Sequence, residues 1–389
     1  MVAAMPVSPA PRIKMSFVVL PFRVVICSGY THQTLAAGRF VTSRHFSAFT
    51  CDYCDLEPGW RCVPVDKRIR ALARTAVVVV ALAGCTSGGG GGGTTTSPTS
   101  GGSPRASIAF VTHQAPGDTF WDLVRRGAEA AAAKDDIDLQ YSHDPDAAGQ
   151  ANLVRSAVDA KVAGIAVTLA VPGVMAPAIQ FANAAKIPVV ALNSGIADWK
   201  ATGVLEYFGQ DEMIAGEAAG ERFSNEGAQN ALCVIHEPGH VGLEARCAGV
   251  AKGFSGNTQK LYVNGVDKST VKAAVIAKLQ QDFSIDRILT LGAPMASAAL
   301  EAVGEANSYA RVDTFDTNSA VVDAIKNGMI DWAIDQQPFL QGYLAVDSLW
   351  LYLTNGNVIG GGVSTLTGPS FVDETNIDTV ADLAEAGTR

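Results

Sequence analysis

Residues 164–193 read GIAVTLAVPGVMAPAIQFANAAKIPVVALN, and their pattern decides the fold. Gly164–Leu169 and Pro188–Asn193 are nearly continuous apolar runs of strand length, and Val174–Lys186 between them has the length and composition of a helix. Two such strands joined by a helix form a unit whose strands are parallel and covered on both faces. The connection between them is right-handed. The stretch therefore predicts an α/β fold built on parallel strands.

The same alternation of strand and helix extends over the rest of the chain from Ser107 onward. The further strand candidates are Ser107–Thr112, Leu139–Ser142, Tyr207–Gln210, Ala231–Ile235, Lys260–Val263, Arg287–Leu291, Val312–Phe315 and Trp332–Asp335. Helical stretches separate them, among them Phe120–Lys134, Ala147–Val162, Met213–Asn225, Thr270–Asp282 and Ala296–Ala306. These strands suffice for two sheets, so we expect two doubly wound parallel-sheet lobes.

The N-terminal region carries a secretion signal. A basic segment precedes the apolar run Ala76–Ala83, which is shorter than the roughly 20 residues that span a bilayer. Such a run followed by small residues is typical of a secretory signal peptide. The sequence Leu82-Ala83-Gly84-Cys85 resembles the lipobox of bacterial lipoproteins. This resemblance implies that residues 67–85 are a lipoprotein signal peptide and that Cys85 receives lipid; an ordinary signal peptide with an incidental cysteine is the alternative.

The segments on either side of this signal are not expected to fold. Residues 86–104 are rich in Gly, Ser, Thr and Pro, a composition typical of a flexible linker. Residues 1–66 contain Cys51-Asp52-Tyr53-Cys54, which is half of a zinc-site pattern without a second pair. Because a signal peptide begins at the N-terminus, we interpret residues 1–66 as a non-native or disordered extension, with translation starting further in.

The balance of acidic and basic residues also differs before and after the lipobox cysteine. The chain has a formal net charge of -9 at pH 7, and its acidic excess lies in residues 86–389. An acidic domain without a basic run is a poor partner for nucleic acid, so we expect small molecules and a protein as partners. In this part of the chain Cys233 and Cys247 remain besides Cys85. A disulfide between them and two buried free thiols are both compatible with the sequence.

Polar and aromatic side chains follow the predicted strands at their carboxyl ends, where ligands of doubly wound sheets bind. They include His113, Asp118, Phe120, Trp121, Asn193, Glu237, Pro294, Asp316 and Gln336. Carboxylates and amides bind hydroxyl groups, and an aromatic face packs against the C–H side of a sugar ring. The sequence therefore favours a cleft for a polyhydroxylated ligand.

The segment His236-Glu237-Pro238-Gly239-His240 matches the His-Glu-x-x-His pattern of zinc proteases, which requires both imidazoles on one helix face. Pro238 and Gly239 oppose a helix, since proline inside a helix costs about 3 kcal/mol. We therefore predict a loop and no metal site, with His236 and Glu237 lining the cleft. The sequence contains no Gly-x-Ser-x-Gly elbow and no helix-turn-helix segment, so we predict neither an enzyme nor a DNA-binding protein.

Five stretches have the order and spacing of a known family. They are Ala109–His113 with Phe120-Trp121, Lys186–Val190 with Asn193-Ser194-Gly195, Gly209–Glu212 with Gly216 and Gly220, Arg246 with Gly249 and Gly253-Phe254, and Asp335–Pro338 with Gln341-Gly342. From Ser107 to Phe371 the chain thus resembles the periplasmic sugar-binding proteins of ABC importers, in the branch typified by ribose-binding protein. The resemblance implies a type I periplasmic binding protein fold, in which a hinge of three strands joins two lobes. It places the hinge near Gln210, Pro338 and Gly361–Val363, and the lobes at residues 105–209 with 337–362 and at residues 210–336 with 363–380.

The resemblance also implies which side chains bind. Phe120 and Trp121 would stack on a sugar ring, although the alternative is that one of the two belongs to the core. The hydroxyl-binding positions are Asp118, Asn193, Arg246, Asp316 and Gln336, and further candidates are His113, Glu237 and Met295. A solvated helix residue is the alternative for Arg246. Relatives often have Asp-Arg where this chain has Asn193-Ser194, so the hydroxyl pattern accepted here is expected to differ from that of ribose.

The function implied by the resemblance is that of a substrate-binding lipoprotein of an ABC importer. It would bind a sugar or polyol between the lobes and deliver it to a membrane permease. Cys85 would anchor it to lipid at the outer face of the cell membrane. We expect a monomer without cofactor or metal. A sensory lipoprotein that presents the same ligand to a membrane signalling partner is the alternative.

Overall fold

The computed structural model describes the backbone of Val18–Leu20 and Arg23–Val25 and all of residues 105–389. The first two segments are strands β1 and β2, which pair antiparallel. The predicted signal peptide, Cys85 and the predicted linker lie outside the described residues, as does most of the extension at residues 1–66.

Residues 105–389 contain two six-stranded sheets. The strands of the first sheet are β3 (Ser107–Thr112), β4 (Asp138–His143), β5 (Gly164–Thr168), β6 (Val189–Leu192), β7 (Tyr207–Gly209) and β13 (Thr365–Leu366). Their spatial order is β13-β7-β6-β5-β3-β4, and all pairings are parallel. The connecting helices are α1 (Phe120–Lys134), α2 (Ala147–Asp159), α3 (Pro172–Ala184) and α4 (Trp199–Thr202). The central strands are apolar throughout because helices cover both faces of the sheet.

The second sheet repeats this design. Its strands are β8 (Asn230–Ile235), β9 (Asn257–Tyr262), β10 (Arg287–Thr290), β11 (Arg311–Phe315), β12 (Ile330–Asp335) and β14 (Ser370–Asp373), in the order β14-β12-β11-β10-β8-β9. Its helices are α5 (Glu212–Asn225), α6 (Val241–Gly253), α7 (Lys268–Gln281), α8 (Ala293–Glu305), α9 (Ser319–Lys326) and α11 (Ile377–Glu385). Only β14 runs antiparallel to its neighbour. The structure confirms the predicted α/β fold of two lobes, each built on a largely parallel sheet.

Helix α10 (Pro338–Asn355) belongs to the first lobe, where it packs on α1 and on β6. The chain therefore passes between the lobes after β7, after β12, and a third time between β13 and β14. Within the described part of the chain, no helix is long and apolar enough to cross a membrane.

The third passage differs from the expectation. The sequence placed it at Gly361–Val363, but β13 still pairs with β7 of the first sheet, so the chain leaves the first lobe only at residues 367–369. The glycines form a 3₁₀ turn (Ile359–Gly362) inside the first lobe, where Gly360, Gly361 and Gly362 have positive φ. Their conformational freedom serves this turn. The second lobe also extends beyond residue 380, because α11 continues to Glu385.

Glycines allow the closest helix contact of the first lobe. At Gly342 of α10 a Cβ atom would clash with the carbonyl oxygen of Val124 in α1, and at Gly127 of α1 it would clash with the carbonyl oxygen of Phe339. The two helices therefore approach backbone to backbone, which brings α10 and its leading segment, residues 336–338, to a fixed place at the lobe boundary.

We expect Gly342→Ala to destabilise the protein by about 1–3 kcal/mol, because the added methyl group forces two packed helices apart. The matched control is Gly304→Ala in α8, where no atom lies within 4 Å of the added Cβ. That substitution should stabilise by about 0.5–1 kcal/mol through its effect on helix propensity. Denaturant unfolding of both variants measures the difference, and equal stabilities would contradict the close packing of α1 and α10.

Candidate functional site

The carboxyl ends of both sheets face a cavity of about 720 Å³ between the lobes. Every candidate binding residue from the sequence lines it: His113, Asp118, Phe120, Trp121, Asn193, Glu237, Arg246, Met295, Asp316 and Gln336. Side chains not selected from the sequence line it as well, among them Gln150, His240, Asn264 and Lys268. Because Asn264 and Lys268 follow β9, the rule that ligands lie beyond strand ends could have found them.

An aromatic wall forms one side of the cavity at the start of α1. Trp121 is only 3% exposed and packs in the core of the first lobe, yet its ring also reaches the cavity. Phe120 stands edge-on to it with ring centroids 5.1 Å apart, and His113 stands edge-on at 4.7 Å. Trp121 thus serves both the core and the cavity wall. Beside it, Asp118 accepts a hydrogen bond from the Phe120 amide at 3.1 Å, and burial raises the pKa of this carboxyl to about 6.

Arg246 projects from α6 into the cavity wall and is 4% exposed, so the alternative of a solvated helix residue is wrong. Its Nε and Nη2 donate to the two carboxylate oxygens of Glu212 at 2.6 and 3.0 Å. Its Nη1 donates to the carbonyl oxygen of Leu291 at 2.8 Å, and the guanidinium lies 4.4 Å from the ring centre of Phe315. These bonds use three of the five N–H groups of a guanidinium. The group is therefore fixed in place, with one N–H left on each terminal nitrogen.

Glu212 was not identified from the sequence as part of the site. It begins α5, and an acidic residue there is common because it complements the helix dipole. The pairing with Arg246 joins residues 34 positions apart, and only the packing of α5 against α6 brings them together.

Amide side chains connect the lobes at the floor of the cavity. The Asn193 Nδ2 group donates to Gln336 Oε1 at 3.1 Å, and Gln336 Nε2 donates to Asp316 Oδ1 at 2.7 Å. Asparagine suits position 193, because a carboxylate could not donate to Gln336. Asn193 and Asp316 both have positive φ (67° and 64°), a region that Asn and Asp tolerate better than other residues. Burial raises the pKa of Asp316 to about 7, and the nearby Arg246 opposes this rise.

The His236–His240 segment forms a loop after β8, as predicted, and α6 begins only at Val241. Candidate ligand atoms of His113, Glu237 and His240 nevertheless lie within 4.8 Å of one another. The Nδ1 atom of His240 accepts hydrogen bonds from the amides of Gly242 and Leu243 at 3.0 and 3.3 Å. The proton of the neutral ring is therefore on Nε2, the nitrogen that faces the cluster, and this nitrogen offers no lone pair. The chemistry of this donor set does not fit a metal ion.

Burial keeps the cleft histidines neutral. It lowers the pKa of His113 to about 3 and that of His236 to about 4, and it holds the pKa of His240 well below its usual range. Glu237 shows the opposite shift, since burial and the nearby Asp118 raise its pKa to about 7.

A disulfide secures the helix that carries Arg246. Cys247, the next residue of α6, is bonded to Cys233 of β8, with Cα atoms 5.9 Å apart. Of the two states that the sequence left open, the structure has the disulfide. The bond ties the middle of α6 to the strand whose carboxyl end carries the His236–His240 loop.

Comparison with known proteins places this geometry in a family. A family model described as a periplasmic binding protein domain matches residues 108–357. The chain belongs to this family. It is 56% identical to a carbohydrate transporter from Acidothermus cellulolyticus 11B whose crystal structure contains myo-inositol; the match has a TM-score of 0.73 and covers 74% of this chain and 100% of that one.

Two further relatives support the assignment of this periplasmic binding protein. The xylose/arabinose-binding protein XylF of Sulfolobus acidocaldarius is 26% identical over 295 residues, which are 70% of this chain and 72% of the relative. A periplasmic sugar-binding protein from Legionella pneumophila is 27% identical, with a TM-score of 0.61 and coverage of 68% and 100%. The chain is therefore a type I periplasmic sugar-binding protein, from a family of substrate-binding transport proteins that are generally not enzymes.

The buried pair of Glu212 and Arg246 should be essential for the stability of the second lobe of this binding protein. We expect Glu212→Ala to cost about 3–5 kcal/mol, because it leaves a buried guanidinium without its counter-charge. Glu217→Ala is the control on the same helix, where Glu217 pairs with the exposed Lys252. That loss should be at most about 1 kcal/mol. Denaturant unfolding measures both values, and similar losses would contradict the buried pairing.

Asp316→Asn should change how stability depends on pH. The folded-state pKa of about 7 lies above the usual value, so the folded protein holds this proton more tightly than the unfolded chain. Its contribution to stability is therefore full at low pH and is lost as pH rises toward 7. Asparagine does not titrate, so this loss is absent from the variant. The Tm of the variant minus the Tm of the native protein, both without ligand, should therefore become more positive from pH 4 to pH 8. A pH-independent difference in Tm would contradict the raised pKa.

Proposed function

We propose that this protein is the substrate-binding component of an ABC importer and that its cleft holds an uncharged polyol ring, with myo-inositol as the first candidate. The observation that carries the proposal is the composition of the cavity, where an aromatic wall faces carboxyl, amide and guanidinium groups from both lobes. The myo-inositol complex of the relative with 56% identity supports the choice of ring.

Each class of side chain in the cavity suits a hydroxylated ring. A hydroxyl group donates to a carboxylate and accepts from a guanidinium, so Asp118, Asp316 and Arg246 would each hold ring hydroxyls. Phe120 and Trp121 would pack against a C–H face of the ring. His236 also lines the cavity, and its neutral ring offers one N–H donor and one acceptor to ligand hydroxyl groups.

The charges of the cavity favour a neutral ligand over an anionic one. Glu212 already compensates Arg246, so the carboxyl groups of Asp118, Glu237 and Asp316 face the ligand with Lys268 as the remaining cation of the wall. A sugar phosphate or a sugar acid would bring a further negative charge close to these carboxyl groups, which is unfavourable in a poorly solvated cavity.

Delivery to a permease and attachment to the membrane are parts of the same proposal. The three passages between the lobes would let the cleft close around a ligand, and the closed form would be presented to the permease. We propose that residues 67–85 act as a lipoprotein signal, that the chain is cleaved directly before Cys85, and that lipidated Cys85 holds the protein at the outer face of the membrane. The mass of the N-terminal peptide of the mature protein tests this part independently of ligand binding.

A thermal-shift screen of the purified protein tests the ligand. Myo-inositol, pentoses, hexoses and linear sugar alcohols are compared with glucuronate as the anionic control. A ligand at about 100 times its Kd adds about 2.7 kcal/mol of stability, which gives a clear rise in Tm. We expect the rise with a neutral ring polyol and none with glucuronate.

Variants show whether that shift arises in the cleft. Asp316→Ala and Gln336→Ala should each abolish it, whereas Asp323→Ala, on the exposed side of α9, should leave it unchanged. No shift with any neutral polyol, or the same shift in Asp316→Ala as in the native protein, would contradict the proposed function.

A further inference from the structure

The loop before α6 belongs to the second lobe but contacts the first. The Nε2 atom of His240 lies 3.3 Å from Ser194 Oγ and 3.2 Å from His113 Nε2, and both partners follow strands of the first sheet. Beside it, the Val241 amide donates to the carbonyl oxygen of Ala170, which follows β5, at 3.1 Å. His240, Ser194 and His113 are all buried. This short segment therefore bridges the two lobes at the cavity.

The direction of these hydrogen bonds follows from the helix start. The amides of Gly242 and Leu243 donate to His240 Nδ1, so the ring carries its proton on Nε2 and can only donate from there. The Ser194 hydroxyl donates to Asn193 Oδ1 at 2.7 Å and so accepts from His240. The His113 ring is held by Thr168, whose Oγ1 lies 2.7 Å from His113 Nδ1 and also accepts from Gln150 Nε2 at 2.9 Å. The start of α6 thus fixes a donor whose acceptor, Ser194, lies on the opposite lobe.

We propose that His240 is a clasp that stabilises the closed arrangement of the lobes before any ligand binds. One buried hydrogen bond of this kind changes such an equilibrium by a factor of about five. A larger closed population raises the apparent affinity for any ligand that the cleft accepts. The clasp therefore raises the affinity for all such ligands by the same factor. This consequence for affinity rests on the proposed function, whereas the clasp itself acts in the ligand-free protein.

The variant His240→Asn separates the clasp from the helix cap. Asparagine is among the best N-cap residues, so α6 keeps its start, but the shorter side chain does not reach Ser194 or His113. In the full chain without ligand, the distance between fluorophores at Asn152 of α2 and Ala273 of α7, both exposed, reports the lobe separation. We expect the open-to-closed ratio to rise about five-fold. His143→Asn, at an exposed histidine of β4, is the matched control and should change nothing.

A second variant keeps the test decisive if His240→Asn is poorly folded. Ser194→Ala removes the acceptor on the opposite lobe and leaves α6 untouched, so the ratio should rise in the same direction. An unchanged distance distribution in the folded variants would overturn the proposal. A selective loss of affinity for one sugar, without a change in ligand-free lobe separation, would overturn it as well, because it would make His240 a ligand contact. If no sugar binds but the variants still change the ligand-free lobe separation, the result contradicts the proposed function and not the clasp.

Discussion

The parallel direction of the strands is the constraint on which the rest of the structure depends. In both lobes it sends the carboxyl end of each strand of the parallel array toward the same cavity, so residues distant in the chain become neighbours. Asn193 and Gln336 lie 143 positions apart, yet their amides are hydrogen-bonded. A one-residue shift at a strand end would turn such a side chain into the core. The strands, which are among the most deeply buried parts of each lobe, therefore fix the positions of the side chains that line the cavity.

Burial in turn requires that the polar groups of the cavity satisfy one another. Arg246 depends on Glu212, and the amides of Asn193 and Gln336 depend on each other and on Asp316. A buried network of this kind is favourable only when its members are paired, because an orphaned polar group in a low dielectric is costly. Burial raises the pKa values of Asp316 and Glu237, so further hydrogen bonds to these carboxyl groups would stabilise their charged forms. Hydroxyl groups of a ligand are suited to supply such hydrogen bonds.

Local and periodic features can be predicted from the sequence, whereas contacts that depend on how distant segments pack cannot. The strand candidates all correspond to strands because long apolar runs have few alternatives, and residues after them line the cavity for the same reason. Glu212 and the contacts of His240 could not be predicted, since each depends on how two elements pack. The glycines at 360–362 misled the prediction of the third passage, because conformational freedom alone does not distinguish a hinge from a turn. The pairing of Cys233 with Cys247 likewise required the distance between them.

Helix α6 connects the contact between the lobes to the residue that is expected to bind ligand, Arg246. It starts at the contact with the first lobe, carries Arg246 one and a half turns later, and is tied through Cys247 to β8. A ligand shifts the lobes only by its different affinity for the open and closed forms. A clasp that was too strong would keep the cavity closed to an entering ligand. A hydrogen bond between neutral groups at 3.3 Å, as from His240 to Ser194, is weaker than the charge-assisted bonds of Arg246, so it biases the closed form and still breaks when the cleft opens.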